Sequence, residues 1–237
     1  MAFSGGADTD LLINGYDLTT FFGNTQMGGT SGAYDTSVYG VGSKTYIPGL
    51  KDARWSLSGF FSGSAGEIDA VLEAALGVAD AVGTVFPQGD ALGNSGRGIS
   101  GHVVNHSAVA PVDGVVSTTA EIQSKVGPER ILSHAALAAH AAATTNFTSI
   151  DNAASSANGG HGYVQATAVG GGFSTATIKI QHSTDDSVWA DLITFTAITA
   201  ANAKERVAVA GTVNRYTRAQ VASTGGTITA QVAFGRK

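Results

Sequence analysis

The chain has no cysteine in 237 residues. That excludes disulfides, thiolate metal sites and cysteine nucleophiles, and it leaves the redox compartment open. Proline is scarce at four residues, and charged residues make up 13%, about half the usual share. Solubility therefore rests largely on hydroxyl and amide side chains. No apolar run approaches the roughly 20 residues that a membrane span needs. The opening MAFSGGADTDLLINGYDL has neither the basic nor the apolar region of a secretory leader, so folding in a cytoplasm without processing is expected. Basic charge is short in the first part of the chain. Residues 1–150 hold 13 acidic against 6 basic side chains, net −7, whereas 151–237 hold 5 against 7, net +2. An acidic surface argues against tight nucleic-acid binding in the first part, because phosphate contacts need cations. The change of sign points to two domains.

What the chain does have is glycine, 32 residues of it, between runs of Ser, Thr, Ala and Val that read as short strands. Residues 1–20 read as an extended arm with a short apolar core, Leu11-Leu12-Ile13. GNTQMGGTSGAYDTSVYGVGSK, Gly23–Lys44, reads as a long hairpin or loop carrying Met27, Tyr34 and Tyr39. From Trp55 to Phe61 apolar and small polar residues alternate, the period of a strand with one buried face. Ser64-Ala-Gly-Glu67 fits a capping box. Ile68, Val71, Leu72, Ala75 and Leu76 then make one helical stripe that stops at Gly77. A helix so short is marginal alone and needs a sheet to cover it; the Trp/Phe strand before it is the expected cover. Strand patterns return in TVFPQG, GISGHVVNHSAV and DGVVSTTAEIQS, so the first unit, 1–135, is antiparallel strands with one helix. Ser133–Gly160 is Ala-, Ser-, Thr- and Asn-rich and reads as a connector over 136–160, with an Ala-rich helical turn at His134–Ala143. Residues 161–237 form six strand patterns with Asx-type and Gly-Gly turns at Asp185-Asp186 and Gly225-Gly226, which argues a second, small β-sandwich.

Candidate chemistry is thin. His102 and His106 stand at i and i+4, but the segment reads as strand, where that spacing does not chelate. His134 and His140 have no carboxylate nearby in sequence and are expected to be solvated. The glycines of Gly93–Gly98 precede a strand rather than a helix, unlike a phosphate cradle. Asp185-Asp186 lacks the spacing of a calcium loop. Glu67, Asp69 and Glu73 read as surface carboxylates of the helix. No nucleophile–base signature occurs. The reading expects no enzyme, no metal and no cofactor.

GLKDARWSLSGFFSGSAGEIDAVLEAALG, TVFPQG and VDGVVSTTAEIQSKVG together resemble the major tail tube proteins of long, flexible-tailed bacteriophages, the siphophages. GYVQATAV and the following ATIKIQHSTDDSVWADLITFTAITAANAKERVAVAGTVNRYTRAQV resemble the C-terminal β-domain attached to many of them. The resemblance implies a mainly β fold, an antiparallel β-sandwich or barrel with one flanking helix plus a second β-sandwich. It implies hexameric rings stacked into a hollow tube through which DNA is ejected without specific binding. Partners would be other copies of the chain, a tape measure protein, a tail terminator and baseplate or tip proteins. The location implied is the virion tail, with the host cytoplasm during assembly. Gly23–Lys44, with Met27, Tyr34 and Tyr39, would be the inter-ring assembly loop. Two other classes stay open: a surface module recognising cell-surface carbohydrate, for which Trp189 and Tyr216 are the available aromatics, and a hydrolase.

Overall fold

The computed structural model describes residues 6–40, 42–78 and 80–237. The first five residues of the expected N-terminal arm, and position 41 of the Gly23–Lys44 stretch, lie outside the described residues. The chain is mainly β, in antiparallel sheets, with one α-helix.

Strands β1 (Asp10–Ile13) and β2 (Tyr16–Asp17) form a hairpin whose turn is Asn14-Gly15, both at positive φ. Asn-Gly is the pair that such two-residue turns favour, because neither residue is strained there. Next come β3 (Phe22–Asp35) and β4 (Tyr46–Phe60), a long hairpin. Helix α1 (Ile68–Ala75) follows, then β5 (Ala81–Phe86), β6 (Ser95–Val109), β7 (Ser117–Ser124) and β8 (Glu129–His140). β6 pairs β5 and β8 along its first half and β7 along its second, and β7 pairs β4. The strands wrap a core of Leu11, Ile13, Trp55, Leu57, Val85, Ile99, Val103, Ala120 and Ile122. Ile68, Val71, Leu72 and Ala75 of α1 close it. Trp55 on β4 reaches across to β5, so a Cβ at Gly83 would come within 2.9 Å of the indole ring. Glycine at position 83 is what admits the tryptophan.

The rest of the chain adds β9 (Thr144–Asn146), β10 (Ile150–Asp151), β11 (Gly160–Gly170), β12 (Thr175–Ser183), β13 (Ala190–Thr194), β14 (Ala203–Val209), β15 (Tyr216–Thr224) and β16 (Thr227–Arg236). A five-stranded sheet of β10-β15-β12-β13, with β9 also on β15, packs on β8, β16 and β11. Val164, Ala166, Ile228, Ala230, Val232 and Phe234 meet Ile178, Ile180, Ile193, Ala219 and Val221 between the two layers. A second sandwich with the Gly225-Gly226 turn between β15 and β16 is present, but it draws β8, β9 and β10 from outside residues 161–237.

Several local expectations change. The capping box does not form: Glu67 is the N-cap without a side-chain cap bond, and its carboxylate instead accepts from the Ser62 hydroxyl. His134–Ala143 is not helical. β8 occupies Glu129–His140 and runs through residue 135, pairing β6 on one side and β16 on the other. The stretch 136–160 thus holds the end of β8, all of β9 and β10, and the first residue of β11. Alanine has good helix propensity, but the pairing of Ala135, Ala138 and Ala139 with β16 overrides it. The larger sheet, eleven strands, is consequently continuous from β14 through β11, β16, β8, β6, β5 and β1 to β2. His134 and His140, expected in solvent, are both buried.

Candidate assembly surface

The β3–β4 hairpin leaves the body as an arm. From residue 28 to 52 nearly every described side chain is exposed, whereas Ala53, Trp55 and Leu57 of the same hairpin are buried. Tyr34 is 61% exposed and Leu50 88%, and Val38, Tyr39, Tyr46 and Ile47 are also exposed. A two-stranded ribbon bearing that much apolar surface gains little from its own fold. Among the described residues the outer edge is open too, because β3 pairs only β4 over its 14 residues. A long unpaired edge offers a row of backbone donors and acceptors to another chain.

The three side chains singled out in the sequence are not brought together. Met27 sits at the root, in register with Trp55, and packs half-buried against the first core. Tyr34 faces Ile47 across the arm, and Tyr39 is in the turn beyond β3. Tyr46, Ile47 and Leu50 belong to the same surface and were missed; the apolar-rich TYIPGL offered the signal.

The two faces of the β3-β4-β7 sheet differ. On the face away from α1, cross-strand rows run Gly28–Arg54–Gln123, Gln26–Ser56–Glu121 and Asn24–Ser58–Thr119. These are amides and hydroxyls with one ion pair, Arg54 to Glu121 at 3.4 Å. The general acidity of the first part of the chain is not concentrated on this face.

On the opposite, core-side face the root of the arm opens into a cleft of about 390 Å³. Its walls are Met27, Ala53, Trp55 and Pro128, and Lys51 and Arg97 stand beside them. Neither cation has a carboxylate within ion-pair distance among the described residues. Glu129 also borders the cleft, but it is already committed to Arg206, with Nε at 2.9 Å, and to the Tyr163 hydroxyl.

At the far end of the same sheet lies an apolar turn. β6 and β7 are joined through Pro111-Val112-Asp113-Gly114. Val109, Val112 and Val115 are exposed, Val112 fully, and Phe60 and Phe61 are exposed beside them. Phe60 is in register with Ser117, and the Phe61 N–H donates to the Val116 carbonyl at 3.0 Å.

Two of the groups considered for chemistry have structural partners. His106 stands 3.3 Å from Glu73, 3.5 Å from Asp69 and 3.1 Å from Thr118, which pins α1 to β6. Asp185 accepts from the N–H groups of Ser187 and Val188, an Asx turn. Among the described residues no group of three or more His, Asp or Glu stands where it could hold a metal ion. No helix among them is long and apolar enough to cross a membrane.

No family model matches the chain, and no curated protein matches it. Solved structures do. A chain of the virion of a native gene transfer agent particle is similar at TM-score 0.45 and 13% identity, over 53% of this chain and 97% of that one. A chain of the tail of an empty gene transfer agent particle, with C6 symmetry, is similar at TM-score 0.42 and 15% identity, over 54% and 97%. The Dit protein of phage SPP1, described as a hub adsorption apparatus, is similar at TM-score 0.40 and 10% identity, over 96% and 98%.

Proposed function

We propose that this protein is a structural subunit of a phage-type tail, built to polymerise with copies of itself as stacked hexameric rings around a hollow bore. The observation that carries the reading is the arm: a 14-residue strand whose outer edge has no partner among the described residues, on a hairpin whose apolar side chains are left in water. Edge and apolar patch together suit pairing with a neighbouring copy, which would bury both. The face with Asn24, Gln26, Ser56, Ser58 and Thr119 is the one we assign to the bore. Its hydroxyls and amides, with Arg54 neutralised by Glu121, offer DNA no free cation to stick to. The partners that follow are tape measure, terminator and baseplate or tip proteins, and the place is the virion tail after assembly in the host cytoplasm. We also propose two packing units that meet at β8, one around each core. The carbohydrate-binding alternative has less support, because Arg218 lies over the Trp189 ring at 4.1 Å and Arg215 over Tyr216 at 4.9 Å.

The test is to replace residues 31–50 by a short Gly-Ser turn. Nearly all of the described side chains removed are exposed, so the melting temperature should hold while negative-stain microscopy loses rings and tubes. Tubes from the shortened protein overturn the assignment of the arm.

A further inference from the structure

We propose that the β6–β7 turn of one copy seats in the cleft at the root of the arm of the next, with Val112 in the apolar part and Asp113 between Lys51 and Arg97. This rests on the self-assembly reading above and names the contact that propagates it.

Complementarity is the first argument. The cleft has an apolar wall from Met27, Ala53, Trp55 and Pro128 and two cations without an ion-pair partner among the described residues. A fitting ligand therefore carries one small apolar group next to a carboxylate. Most carboxylates of the chain are already engaged. Asp35, Asp80, Glu121, Glu129, Asp151 and Asp191 have ion pairs with Lys or Arg. Asp69 and Glu73 face His106, and Glu205 accepts from Thr196. Asp186 has no ion pair among the described residues, but an exposed valine, Val188, stands on one side of it only. Asp113 has neither an ion pair nor a hydrogen bond among the described residues, and it directly follows the fully exposed Val112. No other free carboxylate has exposed valines on both sides, as Asp113 does in Val112 and Val115.

Placement is the second argument. Turn and cleft lie at opposite ends of one sheet. β7 runs from Ser117, beside the turn, to Gln123, in register with Arg54 at the root of the arm. Those six steps span about 20 Å. A chain cannot fold its own turn back into its own cleft across a rigid sheet of that length. Contact between unlike patches at opposite ends is head-to-tail, and it repeats without closing when the copies are translated along one axis. With the turn seated, the arm beyond Lys51 lies alongside the incoming copy, where its apolar side chains can be covered.

The test uses the full chain and follows assembly by light scattering and negative-stain microscopy. Asp113→Lys places a third cation at the contact, and Lys51→Glu with Arg97→Glu places carboxylates on both sides of it. Each is expected to raise the critical concentration for assembly at least about tenfold, the effect of about 1.4 kcal/mol at one contact. All three side chains are exposed, so melting curves should stay at the wild-type temperature. Mixing the two variants is expected to restore assembly, because each copy then meets a complementary neighbour; the triple variant should assemble alone. If either variant alone assembles as the wild type does, or the mixture fails to rescue, the contact is wrong while the assembly reading stands. A wild-type protein that never assembles overturns both. If the two Glu substitutions abolish binding to fluorescent duplex DNA and leave assembly intact, the cations serve nucleic acid and the proposal is refuted.

Discussion

His134 gives the sharpest handle on stability. It is buried on β8 with its ring edge-on to Phe234, centroids 5.9 Å apart. One ring nitrogen, Nδ1, is 3.0 Å from the Leu132 carbonyl, which can only accept, so Nδ1 carries the hydrogen. Nε2 then accepts from the Thr217 hydroxyl at 2.9 Å. Both nitrogens are satisfied in the neutral form. Burial holds the imidazole neutral and pushes its pKa from 6.5 down to about 4, against a small opposing pull from the Leu132 carbonyl. Above pH 6.5 the ring is neutral in both folded and unfolded chains, and pH has no leverage through it. Between 6.5 and about 4 the unfolded chain binds a proton that the folded one refuses, so stability falls as pH drops. The slope from this group approaches about 1.4 kcal/mol per pH unit, and the full loss is on the order of 3 kcal/mol. Urea unfolding from pH 7 to 4.5 measures it, comparing the wild type with His134→Gln. Glutamine keeps a donor for Leu132 and an acceptor for Thr217 but does not titrate. The variant should be less stable at pH 7 by about 1 kcal/mol and visibly flatter below pH 6.5. Equal slopes, or an NMR titration of His134 with its midpoint near 6.5, refute the reasoning.

Arg206→Leu leaves the buried Glu129 carboxylate without its cation and should cost about 3–5 kcal/mol in thermal or urea unfolding. Burial pushes the pKa of Glu129 up, but the Arg206 hydrogen bonds, with His161 and Tyr163, hold it below its usual 4.5. The pair's contribution is therefore complete above pH 4.5 and lost below it, and the variant should not show that acid-side loss. Gly98→Ala puts a methyl into the Tyr163 ring and should cost about 1–3 kcal/mol; an unchanged melting temperature would mean the ring moves freely. Brief proteolysis should nick the exposed Ala141–Ala143 link, yet the pieces should co-elute on size exclusion, since β8 stays paired with β16; separate elution of two folded fragments would show the β8–β16 contact to be weak. A chain ending at residue 135 loses β16 and Tyr163 from above Val82, Phe86 and Ile131, and is expected to aggregate rather than assemble; tubes from it would show that the first unit stands alone.

Periodicity was a good guide wherever one face of an element is buried and the other is wet. Trp55 and Leu57 of β4, the α1 stripe from Ile68 to Ala75 and the alternation of β7 read directly, because burial on one side imposes period two or 3.6, whereas Leu76 and Phe61, expected on those buried faces, lie beyond the element ends and are exposed. It was a poor guide at β8, with Ser133, His134 and Ala135 buried in succession, because that strand is covered on both faces and alternation disappears. Small residues crossing a packed sheet then look like a small-residue linker. The arm was half legible. Its length and tyrosines were visible, but β3 has almost no buried face, so no period marks it as strand. The root cleft was not legible at all, since Lys51, Arg97 and Pro128 come from three separate elements and meet only through the turn from β7 into β8.

The join between the two cores explains why composition suggested two domains while the backbone makes one large sheet. Where the units meet, an apolar cluster of Val82, Phe86, Ile131, Tyr163 and Ala233 is accompanied by a set of buried polar contacts. Gln165 accepts from the Gly15 N–H at 2.6 Å and donates to the Val82 carbonyl at 3.0 Å. Gln231 accepts from the Thr84 hydroxyl at 2.6 Å and donates to Asp90, whose carboxylate also takes the Leu137 N–H. Glu129 draws in Arg206 and Tyr163 from β14 and β11, and His161 presents Nδ1 to it at 3.6 Å without a hydrogen-bond partner. Apolar surfaces tolerate sliding, whereas a set of directional bonds is satisfied in one register only, and any slip strands several buried groups at about 1–3 kcal/mol each. The seam therefore fixes the angle between the units. Under the assembly reading, that holds the second sandwich in one place on every copy while the arm and the β6–β7 turn, at opposite ends of the β3-β4-β7 sheet, make the contacts that repeat.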